Sequence, residues 1–363
     1  MLVGLLGCGR LGFDASGSGS DAMDGALAAD APALPATLLC SARRISIPSV
    51  GPSSALAVEW NGAAFTAMWL DHGAVVGVSL DPSLTSSAPA VLVPGPVEDL
   101  AAIRTNPSGT LFTTATAGTQ MLWSSSSLAS ATVIRTEPSL VGRASVVTDA
   151  TGVPRLWVRG TATGIAATYL NSSGALGVQA LIPTGTPVVA LAAADNSNHA
   201  HMTWREDLAA GISRCTQADL LFTVPAAMLG ASAQVSDDCF EPRIDSGPAV
   251  MDSILTTWRT SAHAVQMRYH GGSVDVSGIL SMHGRAPRPR FDGTQFWVAW
   301  IDEPPAGDRL RIALVDEALG GSAVDVPGWV PASDAAYELV RGADAVYLFI
   351  LGADTLSILK TCP

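Results

Sequence analysis

Charge is scarce in this chain: Asp, Glu, Lys and Arg make up only 14% of its 363 residues. What charge there is leans acidic, with 20 basic and 32 acidic residues for a formal net charge of −12. Such a surface repels polyphosphate, so nucleic acid is not an expected partner. No Lys/Arg-rich run is present to hold an anionic membrane surface. Long apolar runs are lacking too. The best, residues 345–351, is seven residues long, against roughly 20 for a spanning helix. Catalytic signatures are missing as well: there is no G-x-S-x-G, P-loop or H-E-x-x-H, and no Cys-x-x-Cys or Cys/His spacing that suggests zinc.

What remains is ample core material. Apolar residues are 48% of the chain, which argues for a folded domain rather than disorder. Ala, Val, Thr, Ser and Gly dominate, in short apolar runs broken by turn residues, a texture of many short strands. From about residue 50 one pattern recurs: a turn-forming cluster, then an apolar strand with an aromatic or apolar anchor. Asn61-Gly62 precedes a strand ending at Trp69, and Asp292-Gly293 precedes one ending at Trp300. Asn-Gly and Asp-Gly between apolar runs predict hairpins with type I′ turns. Fainter copies begin at Asn106, Asp149, Asp195, Asp245 and Arg341. Anchors fall near 69, 116, 159, 204, 258, 300 and 350, a mean spacing of about 47 residues. A period of roughly 40–50 with several short strands per unit is the mark of a β-propeller blade. The expectation is an all-β, seven-bladed propeller over residues 37–363, with six or eight blades also compatible with the fainter copies. The last copy has room for three strands, and the strand-like segment 38–48 is otherwise unpaired. It is expected to supply the fourth strand and close the ring, which removes an exposed edge.

The first residues carry two competing motifs. Gly7, Gly9 and Gly12 fit G-x-G-x-x-G, but the motif runs into Ser16-Gly17-Ser18-Gly19 rather than an amphipathic helix, so a dinucleotide site is not expected. Leu5-Leu6-Gly7-Cys8 resembles a bacterial lipobox, and the stretch from Cys8 to Asp14 is similar to the start of surface lipoproteins from large deltaproteobacterial genomes. No basic residue precedes Cys8, and the apolar stretch is shorter than usual. The resemblance implies a signal over residues 1–8, lipidation of Cys8, export to the cell envelope, and an anchor in the outer membrane or at the cell surface. Residues 9–36, rich in Gly, Ser, Ala and Asp, then read as a flexible tether.

Five cysteines are present. With Cys8 lipidated, four remain in an exported chain, and three pairings are open. Ring closure favours Cys40 with Cys362, which leaves Cys215 with Cys239 across the join between the fourth and fifth repeats.

Candidate site residues follow from topology. In a propeller, the loop after each second strand shares a face with the loop into each first strand. Second strands here end in Trp69-Leu70-Asp71-His72, Trp204-Arg205-Glu206-Asp207 and Trp300-Ile301-Asp302-Glu303. Asp71, His72, Glu206, Asp207, Asp302 and Glu303 would thus border one face, able to meet a cation, an amine or sugar hydroxyls. A loop into the sixth blade would add Arg285, Arg288 and Arg290, to pair those acids or hold an anion. The tryptophans are read as core between blades. Thr148 to Trp157 faintly resembles the Asp-box of sialidase-like propellers and is read as a turn. His199 and His201 alternate on one strand and share a face. No third ligand is near in sequence, so they are read as a surface or packing pair and no metal site is assigned. No cofactor is expected, and calcium has no motif behind it. The expected protein is a monomeric, non-catalytic binding or scaffold propeller for a glycan or protein, touching the membrane only through its lipid. The alternative is a secreted polysaccharide hydrolase or lyase.

Overall fold

The computed structural model describes residues 38–362, apart from short stretches at 49, 52–53, 107–108, 117, 139–143, 149–152, 172–175, 197–198, 209–210, 224–225, 248–252, 322, 327, 329–330 and 332. Cys8 and the segment 9–36 lie outside the described residues, as does the core of the Asp-box-like turn, 149–152.

The described chain forms seven antiparallel sheets. Strand β1 (Leu39–Ser46) is set aside for the last of them. Blade 1 comprises β2 (Leu56–Trp60), β3 (Phe65–Asp71), β4 (Ala74–Leu80) and β5 (Ala90–Val93). Blade 2 comprises β6 (Asp99–Asn106), β7 (Gly109–Thr116), β8 (Thr119–Ser125) and β9 (Thr132–Pro138). Blade 3 comprises β10 (Ser145–Thr148), β11 (Pro154–Thr161), β12 (Gly164–Leu170) and β13 (Leu176–Pro183). Blade 4 comprises β14 (Val188–Asn196), β15 (His199–Asp207) and β16 (Ser213–Thr223), with an outer edge split between β17 (Ala226–Leu229) and β18 (Ala233–Ser236). Blade 5 comprises β19 (Phe240–Ser246), β20 (Ile254–Arg259), β21 (Val265–Gly271) and β22 (Val274–Ser281). Blade 6 comprises β23 (Gly284–Phe291), β24 (Phe296–Asp302), β25 (Arg309–Val315) and β26 (Ala323–Asp325). Blade 7 comprises β27 (Tyr337–Arg341), β28 (Val346–Leu351) and β29 (Thr355–Thr361), completed by β1. The first strands of the blades touch one another in an unbroken cycle, β2 to β6, β10, β14, β19, β23, β27 and back to β2. The molecule is a closed seven-bladed β-propeller, and each of the seven repeat anchors falls in the second strand of a blade.

Ring closure follows the expected route. β1 runs antiparallel to β29, from Leu39 opposite Thr361 to Ser46 opposite Thr355. Cys40 is bonded to Cys362, with Cα atoms 5.5 Å apart, and Cys215 to Cys239, with Cα atoms 5.6 Å apart. Two disulfides suit an oxidising compartment.

The core lies between blades. Second strands are largely buried on both faces; β24 (FWVAWID) is buried throughout. Trp69 packs at the junction of blades 7 and 1, Trp204 at that of 3 and 4, and Trp300 at that of 5 and 6. The hairpins form where Asn-Gly and Asp-Gly stand, but with different turns. In each of these two pairs the glycine alone takes positive φ, Gly62 at 94° and Gly293 at 121°. Asn61 Oδ1 instead accepts the amides of Ala63 and Ala64 at 2.9 and 2.8 Å, and Asp292 Oδ1 accepts those of Thr294 and Gln295 at 2.7 and 2.9 Å. The side chain closes the turn as an Asx motif.

Arg285, Arg288 and Arg290 do not sit in a loop. They lie along β23, the innermost strand of blade 6. Pro287 and Pro289 stand among them, and an innermost strand tolerates them because it has one unpaired edge, where proline loses no ladder bond. A register shift between Arg285 and Arg288 accommodates them further.

Candidate functional site

Strand direction separates two faces. In blade 1, Trp60 pairs with Phe65 at one end of the β2–β3 hairpin, and Asp71 pairs with Ala74 at the opposite end of β3. The acids that end the second strands therefore border one face, and the turns between first and second strands border the other.

On the first face the acids are engaged locally. Asp71 Oδ1 lies 2.5 Å from Nδ1 of the exposed His72. Glu206 is buried, accepts Trp204 Nε1 at 2.8 Å and pairs with Arg214 at 2.5 Å. Asp207 accepts Nε and Nη2 of Arg205 at 2.7 and 2.9 Å. Asp302 is buried, accepts Ser281 Oγ at 2.5 Å and meets Arg309 at 3.3 Å. Arg285 joins Glu303, Asp308 and Asp334 at once, and this cluster holds its guanidinium above the ordinary range even though burial pulls it down. Arg288, 3% exposed, donates to the Asp334 carbonyl at 3.0 Å and stacks over Tyr337. The structure brings Arg285 and Glu303 together; Asp71, Glu206 and Asp302 stay in separate blades, each with partners of its own.

On the opposite face the ends of the innermost strands enclose a cavity of about 590 Å³. A second cavity of about 140 Å³ shares Val58, Arg104 and Arg290 with it and is bordered by all seven innermost strands, which places both on the propeller axis. The lining is charged. Glu59 comes from blade 1, Arg104 from blade 2, Asp195 from blade 4, Arg290 from blade 6 and Arg341 from blade 7, with Trp60 and Asn61 at the rim.

These groups are tied across blades. Arg104 Nη2 reaches Asp195 Oδ2 at 3.3 Å, past blade 3, whose Thr148 donates to Asp195 through its amide at 2.7 Å and its hydroxyl at 2.9 Å. Ser246 donates to the Asp195 carbonyl at 2.7 Å. Asp245 accepts the Phe291 amide at 2.6 Å and faces Arg290 at 3.5 Å, and Arg290 Nε donates to the Leu339 carbonyl at 2.9 Å. Burial lowers the Arg104 pKa by itself, but Asp195 and Glu59 more than restore it. Burial likewise pushes Asp245 up, against the pull of Arg290.

Glu59 differs from the rest. Its Oε2 is buried and has no hydrogen-bond partner among the described residues. Burial pushes its carboxyl up to about 8, against the opposing pull of Arg104 and the Thr105 amide. A strongly perturbed carboxyl in a concave site marks a functional-site candidate. Arg104 and Glu59 were not singled out by sequence, and Asp195 and Asp245 looked like turn residues. The structure puts both aspartates inside strands β14 and β19 instead. A signal was present: in six of the repeats a charged residue stands at or within two residues of the first-strand terminus, at 59, 104, 195, 245, 290 and 341.

Fold and axial cavity together define a seven-bladed propeller with a polar, solvent-accessible centre. Neither a protein-family model nor a curated protein matches the chain by sequence. Among solved structures it is similar to the WD40 domain of Toxoplasma gondii coronin, with a TM-score of 0.55, 10% identity, and coverage of 91% of this chain and 87% of that one. It also matches a protein of unknown function from Dyadobacter fermentans, with a TM-score of 0.46, 11% identity, and coverage of 88% and 99%. The coronin likeness establishes the fold alone.

Proposed function

We propose that this chain is a non-catalytic binding propeller, exported and tethered through a lipid on Cys8, whose ligand is a glycan that enters the axial cavity. The observation that carries this reading is the cavity's lining. An aromatic edge at Trp60 stands beside carboxylates, guanidiniums and the Asn61 amide, the mixture that sugar rings and hydroxyls require. The acids of the opposite face already have partners, so fewer of their oxygens are left for a ligand. The lipobox-like Leu5-Leu6-Gly7-Cys8 and the two disulfides support the location.

A thermal-shift screen of the purified chain against bacterial and environmental glycans tests the reading. A ligand at 100 times its Kd stabilises by about 2.7 kcal/mol, a readily measured shift. The expected hit is lost in Arg104→Ala and retained in Asp71→Ala. Loss in Asp71→Ala or Asp302→Ala alone would move the ligand to the other face. One observation favours a second reading, a polysaccharide hydrolase: Glu59 keeps its proton near neutral pH in a cavity that also holds Asp195, the acid–carboxylate combination that glycoside hydrolysis uses. Release of reducing sugar from the hit, abolished by Glu59→Gln, would establish that reading in place of simple binding.

A further inference from the structure

The junction of blades 4 and 5 differs from the other six. Each of those holds an apolar cluster of at least six buried side chains. Between blades 4 and 5 the described residues supply only Ala192, Ala194, Ile244 and Ile254, and a separate group of Cys215, Cys239 and Trp258. A cavity of about 220 Å³ opens here instead, bordered by polar side chains of both blades.

Three of the chain's six histidines gather at this junction: His199 and His201 on β15, and His270 on β21. His199 and His201 are two apart on one strand and share a face. Asp219 lies directly opposite His201 in the β15–β16 register, so it points to the same side. One ligand atom from each of His199, His201 and Asp219 lies within 4.8 Å of the others, and His201 Nδ1 is 2.6 Å from Asp219 Oδ1. The nearby Arg268 is committed to Asp275, with contacts of 2.8 and 2.6 Å.

We propose that His199, His201 and Asp219 bind a divalent transition-metal ion of the zinc class, with a further position open to the cavity and His270 facing it from blade 5. Two imidazoles and one carboxylate suit zinc, copper or nickel; calcium and magnesium take oxygen shells. Bonds of about 2.0–2.1 Å at a tetrahedral centre set ligand atoms roughly 3.3 Å apart. Binding therefore requires the observed spacing to contract to that value. The three ligands belong to blade 4, and the ion ties blade 5 to it where His270 takes the further position.

The test is calorimetric titration of the full chain, untagged and stripped with a chelator, with Zn²⁺, supported by visible absorption of the Co²⁺ form. The expected result is one ion per chain and a raised melting temperature. Affinity should fall at least tenfold in His199→Ala and in Asp219→Asn and stay unchanged in His283→Ala, a histidine remote from the cluster. His201 is almost fully buried, so the more exposed His199 and Asp219 carry the test, with circular dichroism to confirm that each variant folds. No stoichiometric binding at micromolar Zn²⁺ would overturn the proposal. So would undiminished binding in a folded His199→Ala/Asp219→Asn double variant, or an equal response to Ca²⁺.

Discussion

Glu59 makes the sharpest demand of any single residue. Its carboxyl titrates near 8 in the folded chain, against an ordinary value of 4.5. The folded state thus binds the proton more tightly than the unfolded one. Stability linked to Glu59 is whole below about pH 4.5 and is lost as pH rises through the folded value of about 8. Each unit of difference is worth about 1.36 kcal/mol, so the loss across this window amounts to a few kcal/mol. Glu59→Gln stays neutral throughout. It is expected to lose less stability than the parent between pH 5 and pH 8, as read by thermal melts across that range. Parallel profiles for the two chains would show that Glu59 titrates as an exposed carboxyl. Such a residue is hard to read from sequence. Asp195 and Asp245 sit where Asp also serves as a turn former, and only the ring geometry shows that they face the axis and bond to neighbouring blades.

At the scale of the strand, legibility depended on which face a strand shows. Second strands pack on both faces, so the tryptophans at 69, 204, 258 and 300 stood out in the sequence, whereas the threonine-rich β7 (GTLFTTAT) gave only a faint copy. Trp300 is fully buried at the junction of blades 5 and 6. Trp300→Ala is expected to cost about 3–5 kcal/mol, the range for deleting a buried aromatic, measured by urea denaturation. A loss below about 1 kcal/mol would mean that the blade junction collapses around the missing ring. Innermost strands follow another rule. One edge borders the cavity, so charge and proline are tolerated, and β23 (GRAPRPRF) read as a loop although it is a strand. Turn type was also beyond the sequence, because Asn-Gly serves a type I′ turn and an Asx-closed loop equally well.

At the scale of the ring, two disulfides protect different things. Cys40–Cys362 spans 322 residues and Cys215–Cys239 spans 24. On the loop-entropy model the longer bridge constrains the unfolded chain more, by about 2 kcal/mol relative to the shorter. The shorter bridge joins β16 to the segment entering blade 5, at the junction whose buried apolar side chains fall into two small clusters rather than one. If global unfolding is governed by chain entropy, Cys40→Ser/Cys362→Ser should lower the unfolding free energy more than Cys215→Ser/Cys239→Ser. Local opening should show the reverse order. Loss of Cys215–Cys239 should speed hydrogen exchange in β19 and β20 ahead of the rest, because the bridge itself belongs to one of the two small clusters of that seam, whereas the open ring of the other variant keeps seven pairings between β1 and β29. The measurements are chemical denaturation and exchange mass spectrometry on both variants. The same order in both readouts would mean that the blade 4–5 seam is no weaker than its neighbours, and that the ring opens at its ends first.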